Sequence, residues 1–90
     1  MDVIDNTAAK RFQTTVDGSL CVLDYRVHGG VIALNHAGVP SQVGNRGIAG
    51  ALTRFALDSA RARGLKVEPN CSYVAAWIRR HPEYADLVAD

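Results

Sequence analysis

From Arg11 to His28, apolar and polar positions alternate along the chain, which is the period of a half-buried β-strand. The alternation is interrupted at Asp17-Gly18, a strong hairpin signal because both residues tolerate a positive φ. It ends at Gly29-Gly30, which supply a second turn. The positions that share one face are Phe12, Thr14 and Val16, then Cys21, Leu23, Tyr25 and Val27. The pattern therefore predicts an antiparallel meander from Arg11 onward, and residues 1–10 look loosely ordered.

The next segment, Val31–Asn35 or slightly longer, is apolar at consecutive positions. This is typical of a central strand that is covered on both faces. The period then becomes helical from Ile48, and Gly64 is a natural stop because glycine accepts the left-handed conformation at a helix end. The predicted inner face of this helix holds Ile48, Leu52, Phe55 and Ser59, and the outer face holds Thr53, Arg54, Asp58 and Arg61.

Two further elements follow the long helix. Leu65–Glu68 is predicted to form a short strand, and a second helix starts at Ser72 and ends near His81, because Pro82 disfavours helix in the residue before it. Trp77 is expected to close the small core. The order of three strands, helix, strand and helix predicts an α+β fold. It has a mixed, mostly antiparallel sheet of about four strands with two main helices, and the last strand runs parallel to the third.

Size and charge narrow the function classes. A chain of 90 residues is enough for one domain spanning residues 1–90, which we expect to be a monomer or a weak homodimer. Ten basic and nine acidic residues give a formal charge of +1, without the positive field that nucleic-acid binding needs. No apolar stretch approaches the roughly 20 residues of a membrane span, and the first ten residues lack an export signal. We therefore expect a soluble, cytoplasmic protein. The histidines and cysteines lack metal-ligand spacing, so no metal is predicted.

A glycine-rich segment, Val39–Gly50, joins the central strand to the long helix. The first N–H groups of a helix have no intrahelical partner and lie at the positive end of the helix dipole, so a bare start of this kind favours phosphate oxygens. An ordinary loop has the same composition, and the segment contains neither the lysine of a nucleotide-triphosphate loop nor a full G-x-G-x-x-G. The residues alone leave a phosphate cradle and a plain loop both open.

Short motifs follow one another in a characteristic order along nearly the whole chain. They are Arg11-Phe12, Asp17-Gly18, Tyr25-Arg26, His36 with Val39-Pro40, Arg46-Gly47-Ile48-Ala49, Pro69 with Cys71 and Tyr73, and Arg80-His81-Pro82-Glu83-Tyr84. Together they resemble the very small GCN5-related N-acetyltransferase-like proteins. The resemblance implies a truncated form of the GNAT fold and transfer of acetyl from acetyl-CoA to a small amine or an exposed lysine. The alternative is a non-catalytic module that binds acyl-CoA or another protein.

The resemblance also implies where the coenzyme binds. The loop from Val43 to Ala49 is similar to the acetyl-CoA pyrophosphate loop of the superfamily, whose last glycine and small residue match Gly47 and Ala49. Backbone N–H groups would hold the pyrophosphate, Arg46 would add charge, and the strand before Pro40 would orient the acetyl group. The implied coenzyme-binding residues are Val39, Val43, Gly44, Asn45, Arg46, Gly47, Ile48 and Ala49.

Three side chains are candidates for the chemistry. Cys71 precedes the second helix, where the helix dipole favours a thiolate, and the resemblance places a cysteine here near the thioester. It would act as a nucleophile, line the pocket or protonate the leaving thiolate, or it is a small core residue. His36 is either a general base or a structural histidine bonded to backbone. Tyr73 would protonate the leaving thiolate, as a tyrosine does in larger relatives, or it packs in the core.

One departure from the resembling family affects turnover. That family usually has Thr-Glu between the histidine and Val-Pro, whereas this chain has Ala37-Gly38. The departure removes a carboxylate that would take a proton from the substrate amine. Its loss leaves water or His36 for this role, or no base at all, and it motivates the non-catalytic alternative.

Overall fold

The computed structural model describes all 90 residues. The strands are β1 (Ile4–Asn6), β2 (Arg11–Val16), β3 (Ser19–His28), β4 (Val31–Gly38) and β5 (Lys66–Pro69). The helices are α1 (Ile48–Ala62) and α2 (Ser72–Arg80), and two 3₁₀ turns cover Ser41–Val43 and Pro82–Leu87. Neither helix combines the length and the apolar content needed to cross a membrane.

The five strands form one sheet in the order β1-β2-β3-β4-β5, antiparallel as far as β4, with β5 parallel to β4. The predicted hairpin is confirmed, since Asp17 and Gly18 have φ values of 48° and 77°. Positive φ at both central residues defines the type I′ turn, whose twist matches that of the flanking strands. The predicted α+β class and the parallel fourth pairing are therefore confirmed, with one strand more than the sequence pattern indicates.

The additional strand is β1, which lies in the segment expected to be loosely ordered. It pairs along β2 through Ile4↔Gln13 and Asn6↔Arg11. The Tyr25 hydroxyl donates a hydrogen bond to the Asp5 carboxylate at 2.6 Å and so holds β1 from two strands away. A strand of three residues is too short to show a period, and its order depends on these partners from elsewhere in the chain.

Helix α1 packs with part of the predicted face, since Ile48 and Leu52 are buried as predicted, but two other positions differ. Thr53 was expected on the outer face, yet it is fully buried, and its hydroxyl donates to the Ala49 carbonyl at 2.8 Å. Phe55 was expected in the core and is 39% exposed. The inner stripe combines large aliphatic residues with the smaller Thr53, Ala56 and Ala60. Its members are Ile48, Leu52, Thr53, Ala56, Leu57 and Ala60. The prediction of the helix end at Gly64 is confirmed, because Gly64 has φ 69° and Leu65 N–H donates to the Ala60 carbonyl.

Both helices pack on the same face of the sheet. Eighteen buried residues form one core cluster to which β2–β5, α1, α2 and the C-terminal turn all contribute. The register places a second set of residues on the other face, and none of them belongs to that cluster. They include Arg11, Gln13, Leu20, Val22, Asp24, Arg26, Ala33, His36 and Gly38. The expectation of a β4 covered on both faces is therefore wrong. Ala33 is buried on this open face without any helix above it, because its side chain is small.

The C-terminal turn closes one end of the core. Tyr84 donates to the Asp58 carboxylate at 2.7 Å, and this bond together with burial raises the pKa of its hydroxyl. Arg61 makes two hydrogen bonds to Asp86, at 2.9 and 3.0 Å. Ala89 N–H donates to the Val67 carbonyl at 2.8 Å, which covers part of the outer edge of β5. These contacts hold the turn against α1 and β5.

Candidate functional site

The sheet opens between β4 and β5. Their pairing runs from Val31↔Lys66 to Leu34↔Pro69 and stops there, whereas β4 continues to Gly38. Beyond that point, Ala37 and Gly38 pair only with β3. Part of β4 therefore presents a backbone edge that no strand covers, and such an edge can pair with an extended ligand.

Two contacts close the base of this opening. The Cys71 N–H donates to the Leu34 carbonyl at 2.9 Å, and the Asn70 side chain donates to the Asn35 side-chain carbonyl at 2.9 Å. Asn35 lies at an irregularity in the sheet, where the register between β3 and β4 shifts. Since a bulge bends the strand that carries it, it contributes to the divergence of β4 from β5.

The start of α1 is bare. Its N-cap is Gly47, with φ 71°, and no side chain caps the first turn. Within the predicted loop, the Val43 and Gly44 N–H groups already donate to the Pro40 and Ser41 carbonyls, at 3.0 and 3.3 Å. The donors that remain for an anion are the N–H groups of residues 45–47 in the loop and of residues 48–50 in the first turn of α1, the latter at the positive end of the helix dipole. This arrangement suits the phosphate oxygens of a ligand.

Side chains of the predicted coenzyme loop fall into two groups. Val43 and Ile48 are buried, and Val39 packs against the core, so these residues anchor the loop and offer a ligand only their backbone. Asn45 and Arg46 are exposed, and the Arg46 guanidinium forms an ion pair with Asp17 in the β2–β3 turn. Arg46 is therefore the nearest positive side chain to the bare helix start in sequence.

Cys71 and His36 lie on different sides of the sheet. Cys71 is the N-cap residue of α2, is half-buried and packs against the core cluster on the helix side. His36 pairs with Asp24 on the open face and is exposed. Its Nε2 lies 3.3 Å from where a Cβ on Gly38 would be, so the two residues are neighbours on that face. The structure does not bring the two candidates together as a nucleophile and its base.

Tyr73 lies in the groove between the two helices. It is 36% exposed, so the predicted alternative of a core residue is not what the structure shows. Its hydroxyl lies 3.4 Å from where a Cβ on Gly50 would be, in the first turn of α1. The indole nitrogen of Trp77 lies at the same distance from that point. The sequence predicted Trp77 only as a core residue. The one feature that could have placed it in this groove is its spacing of one helical turn from Tyr73.

A separate depression of about 430 Å³ lies along the outer side of α1. It is lined by Met1, Asp2, Val3, Ala51, Arg54, Phe55 and Asp58. None of the predicted site residues contributes to it. The Asp58 carboxylate in its lining already accepts a hydrogen bond from Tyr84. We therefore place the candidate site elsewhere, at the β4–β5 opening and the uncapped start of α1.

Comparison with known proteins agrees with this fold. The model of a family described as GCN5-related N-acetyl-transferase matches residues 11–87. Among solved structures, the chain is similar to a GCN5-like N-acetyltransferase candidate from Staphylococcus aureus, determined by NMR in solution. The TM-score is 0.77 at 23% identity, over 98% of this chain and 87% of that one. No curated protein is significantly similar in sequence. Because the family model spans most of the chain, the protein belongs to the GCN5-related N-acetyltransferase family.

Proposed function

We propose that this protein is an acetyl-CoA-dependent N-acetyltransferase whose acceptor is a small amine or an exposed lysine. The observation that carries the proposal is the uncapped start of α1 at Gly47 beside the opening between β4 and β5. One feature suits a diphosphate and the other suits an extended arm with amide groups. Family membership supports the same assignment.

The backbone does most of the binding in this proposal. N–H groups of Ile48, Ala49 and Gly50 hold the pyrophosphate, and the free edge of β4 near Ala37 and Gly38 orients the pantetheine arm and the thioester. Gly47 lets the chain turn with a left-handed φ and leaves the approach to these N–H groups open, since a Cβ there meets no atom within 4 Å. Bound acetyl-CoA supplies a thioester carbon that an amine nitrogen attacks.

The acceptor amine approaches from the open face. His36 is exposed there, and a neutral imidazole takes the proton that the amine loses as its nitrogen bonds to the acetyl carbon. Asp24 pairs with His36 across the strands, and its carboxylate attracts the positively charged form of the amine. The sulfur that leaves is protonated from the helix side, where Cys71 lies.

The separation of Cys71 from His36 distinguishes two routes. In direct transfer, His36 serves the amine, and Cys71 only lines the pocket. In transfer through an acetyl-cysteine, the Cys71 thiolate must form without His36, because the two side chains face opposite sides of the sheet. The geometry favours direct transfer, since the only base candidate lies where the amine approaches.

A second candidate function is a non-catalytic acyl-CoA-binding or protein-interaction module. It is favoured by Gly38, which stands on the open face where a carboxylate would lie beside His36. Binding without turnover is what this alternative predicts.

Calorimetric titration with acetyl-CoA, with CoA for comparison, tests the binding step. We expect a dissociation constant in the micromolar range, which corresponds to a binding free energy of about −8 kcal/mol. Gly47→Val should weaken binding at least about tenfold, which corresponds to about 1.4 kcal/mol. Gly64→Val is the matched control, because Gly64 has a similar φ of 69° and equally open surroundings at the other end of α1. The absence of binding at millimolar ligand would overturn the proposal.

The catalytic step is tested with a panel of small amines and a lysine peptide. Direct transfer predicts that His36→Ala lowers kcat by roughly 100-fold. Cys71→Ala should then retain most of the activity, and intact-mass analysis should show no acetylated protein. An acetyl group on Cys71 that is chased to the amine would replace direct transfer with the covalent route. Binding with no acetylation of any amine would establish the non-catalytic alternative.

A further inference from the structure

Trp77 carries a hydrogen-bond donor that the fold does not use. It is the only tryptophan in the chain and is 5% exposed. Its indole N–H has no partner among the side-chain hydrogen bonds. Every fully buried side-chain nitrogen and oxygen in the protein does have a partner. The indole nitrogen must therefore keep some access to the surface, although most of the ring is buried.

The free donor lies close to the first turn of α1. Trp77 Nε1 lies 3.4 Å from where a Cβ on Gly50 would be, and the Tyr73 hydroxyl lies at the same distance. Gly50 is the third residue of α1, so its own N–H is one of the unpaired donors at the bare helix start. Three donors thus lie together beside position 50, which carries no side chain.

The indole ring is held in a fixed orientation. It stacks on His81 with ring centroids 3.6 Å apart and an angle of 12° between the planes. His81 Nδ1 is in turn 2.7 Å from the Trp77 carbonyl. The Arg54 guanidinium lies 5.1 Å from the Trp77 ring centroid, and Tyr84 packs at 5.5 Å. Because its neighbours fix the ring, the N–H is oriented before any ligand arrives, which reduces the entropy cost of binding.

We propose that the Trp77 N–H and the Tyr73 hydroxyl form a subsite, together with the Gly50 N–H, that binds an oxygen of the phosphopantetheine arm of coenzyme A. The inference rests on the proposed function and deepens it, since it adds side-chain recognition to a cradle otherwise made of backbone. The acceptor oxygen belongs either to the diphosphate or to an amide carbonyl of the arm. Both present lone pairs that match these donors.

Gly50 controls access to this subsite. A methyl group at position 50 would lie at ordinary contact distance from Trp77 and Tyr73, so the fold tolerates it, but it would screen these two donors from a ligand oxygen. Alanine is also a better helix former than glycine. Gly50→Ala should therefore raise the melting temperature of the free protein while it weakens coenzyme binding. A residue with a purely structural role would not move these two readouts in opposite directions.

The experiment is a titration of the full chain with CoA, followed by fluorescence of the single tryptophan and by calorimetry. We expect CoA to change the emission of Trp77, and Trp77→Phe to weaken CoA binding about threefold to tenfold. Gly50→Ala should weaken it by a similar factor. Tyr84→Phe is the control, because it removes a hydroxyl from the same aromatic cluster that is already bonded to Asp58, and it should leave CoA affinity unchanged.

Fragments of the coenzyme identify the oxygen. A change in Trp77 emission with ADP assigns the contact to the diphosphate, and a change with pantetheine assigns it to an amide carbonyl. If CoA binds the wild type while Trp77→Phe and Gly50→Ala bind it equally well, the subsite is wrong and the proposed function stands. If the wild type does not bind CoA at all, the proposed function fails and the subsite fails with it. Gly50→Ala keeps the test decisive if Trp77→Phe does not fold.

Discussion

The two faces of the sheet are built differently. On the covered face, Phe12, Leu23 and Leu34 are fully buried beneath α1 and α2. On the open face, no helix packs over the strands, and the side chains are mainly polar or only partly buried, with Leu20 43% exposed. The covered face therefore supplies stability and fixes the proposed coenzyme cradle, whereas the open face is where we propose that the acceptor approaches.

This difference follows from the small size of the chain. A domain of this size buries only about 60–65% of the surface that its unfolded chain exposes. It therefore has one core, and only one face of its sheet is covered by helices. The donors at the start of α1 and the Trp77 ring lie on the covered face. His36 and Asp24 lie on the other side, where an acceptor or a partner would complete their surroundings.

The largest effect is expected from the covered face. Phe12→Ala removes a fully buried ring that packs 4.9 Å from Tyr25 and 5.7 Å from Phe55, and should lower the free energy of unfolding by about 3–5 kcal/mol. Thr15→Ala, on the open face of the same strand, should change it by less than about 0.5 kcal/mol. Urea denaturation checks both variants. Equal losses would contradict the division of the sheet into a face that is covered by the helices and an open face.

The next effect concerns the alkaline limit of stability. Burial, with the hydrogen bond to Asp5, raises the pKa of Tyr25 from about 10 to about 12. The unfolded state thus releases this proton first, so stability is complete below pH 10 and falls as the pH rises toward 12. Tyr25→Phe should be less stable than the wild type at pH 8, and its free energy of unfolding should fall less steeply between pH 10 and 12. Parallel pH profiles from urea denaturation would contradict this prediction.

A carboxylate added to the open face should raise activity. Gly38 has a φ outside the left-handed region, and a Cβ there would lie 3.3 Å from His36 Nε2 and Val22 Cγ2, both of which belong to side chains that can shift. Gly38→Glu places a proton acceptor beside His36 and should increase kcat/KM for amine acetylation by roughly 10- to 100-fold. Gly38→Gln has the same size without the charge and should not. Equal rates for the two variants would remove the role assigned to this position.

The smallest effect concerns charge near the cradle. Arg46→Ala should weaken CoA binding about threefold at low salt, and the difference should vanish in 1 M salt, where screening acts over ~3 Å. Arg26→Ala, on the open face, should leave the affinity unchanged at both salt concentrations. Arg26 donates to the Tyr25 carbonyl at 2.9 Å and points away from the helix side. Calorimetry at two salt concentrations measures both variants.

Local patterns were sufficient for most of the elements. The Asp17-Gly18 turn, the end of α1 at Gly64 and the start of α2 at Ser72 all depend on neighbours within a few residues. The strand at Ile4–Asn6 could not be predicted in the same way, because its order depends on β2 and on a hydroxyl from Tyr25. The burial of Thr53 was also hidden, since its hydroxyl is satisfied by a carbonyl in its own helix.

The candidate site shows the same division. The bare helix start could be predicted from glycine and small residues alone, because the lack of a cap is a local property. By contrast, the separation of Cys71 from His36 depends on which face of the sheet the helices cover, and no spacing along the chain determines that. The role of Gly50 beside Trp77 and Tyr73 was hidden for the same reason.

The sequence by itself determined the periods, the turns, the family resemblance and the glycine at the start of α1, because each is encoded within short stretches of chain. Only the tertiary structure decided that both helices cover one face and that β4 extends beyond its pairing with β5. It also decided that the unpaired indole nitrogen of Trp77 lies beside Gly50. These features arise where elements distant in sequence compete to bury apolar surface and to satisfy hydrogen bonds. That competition is settled by packing in three dimensions rather than by any local preference.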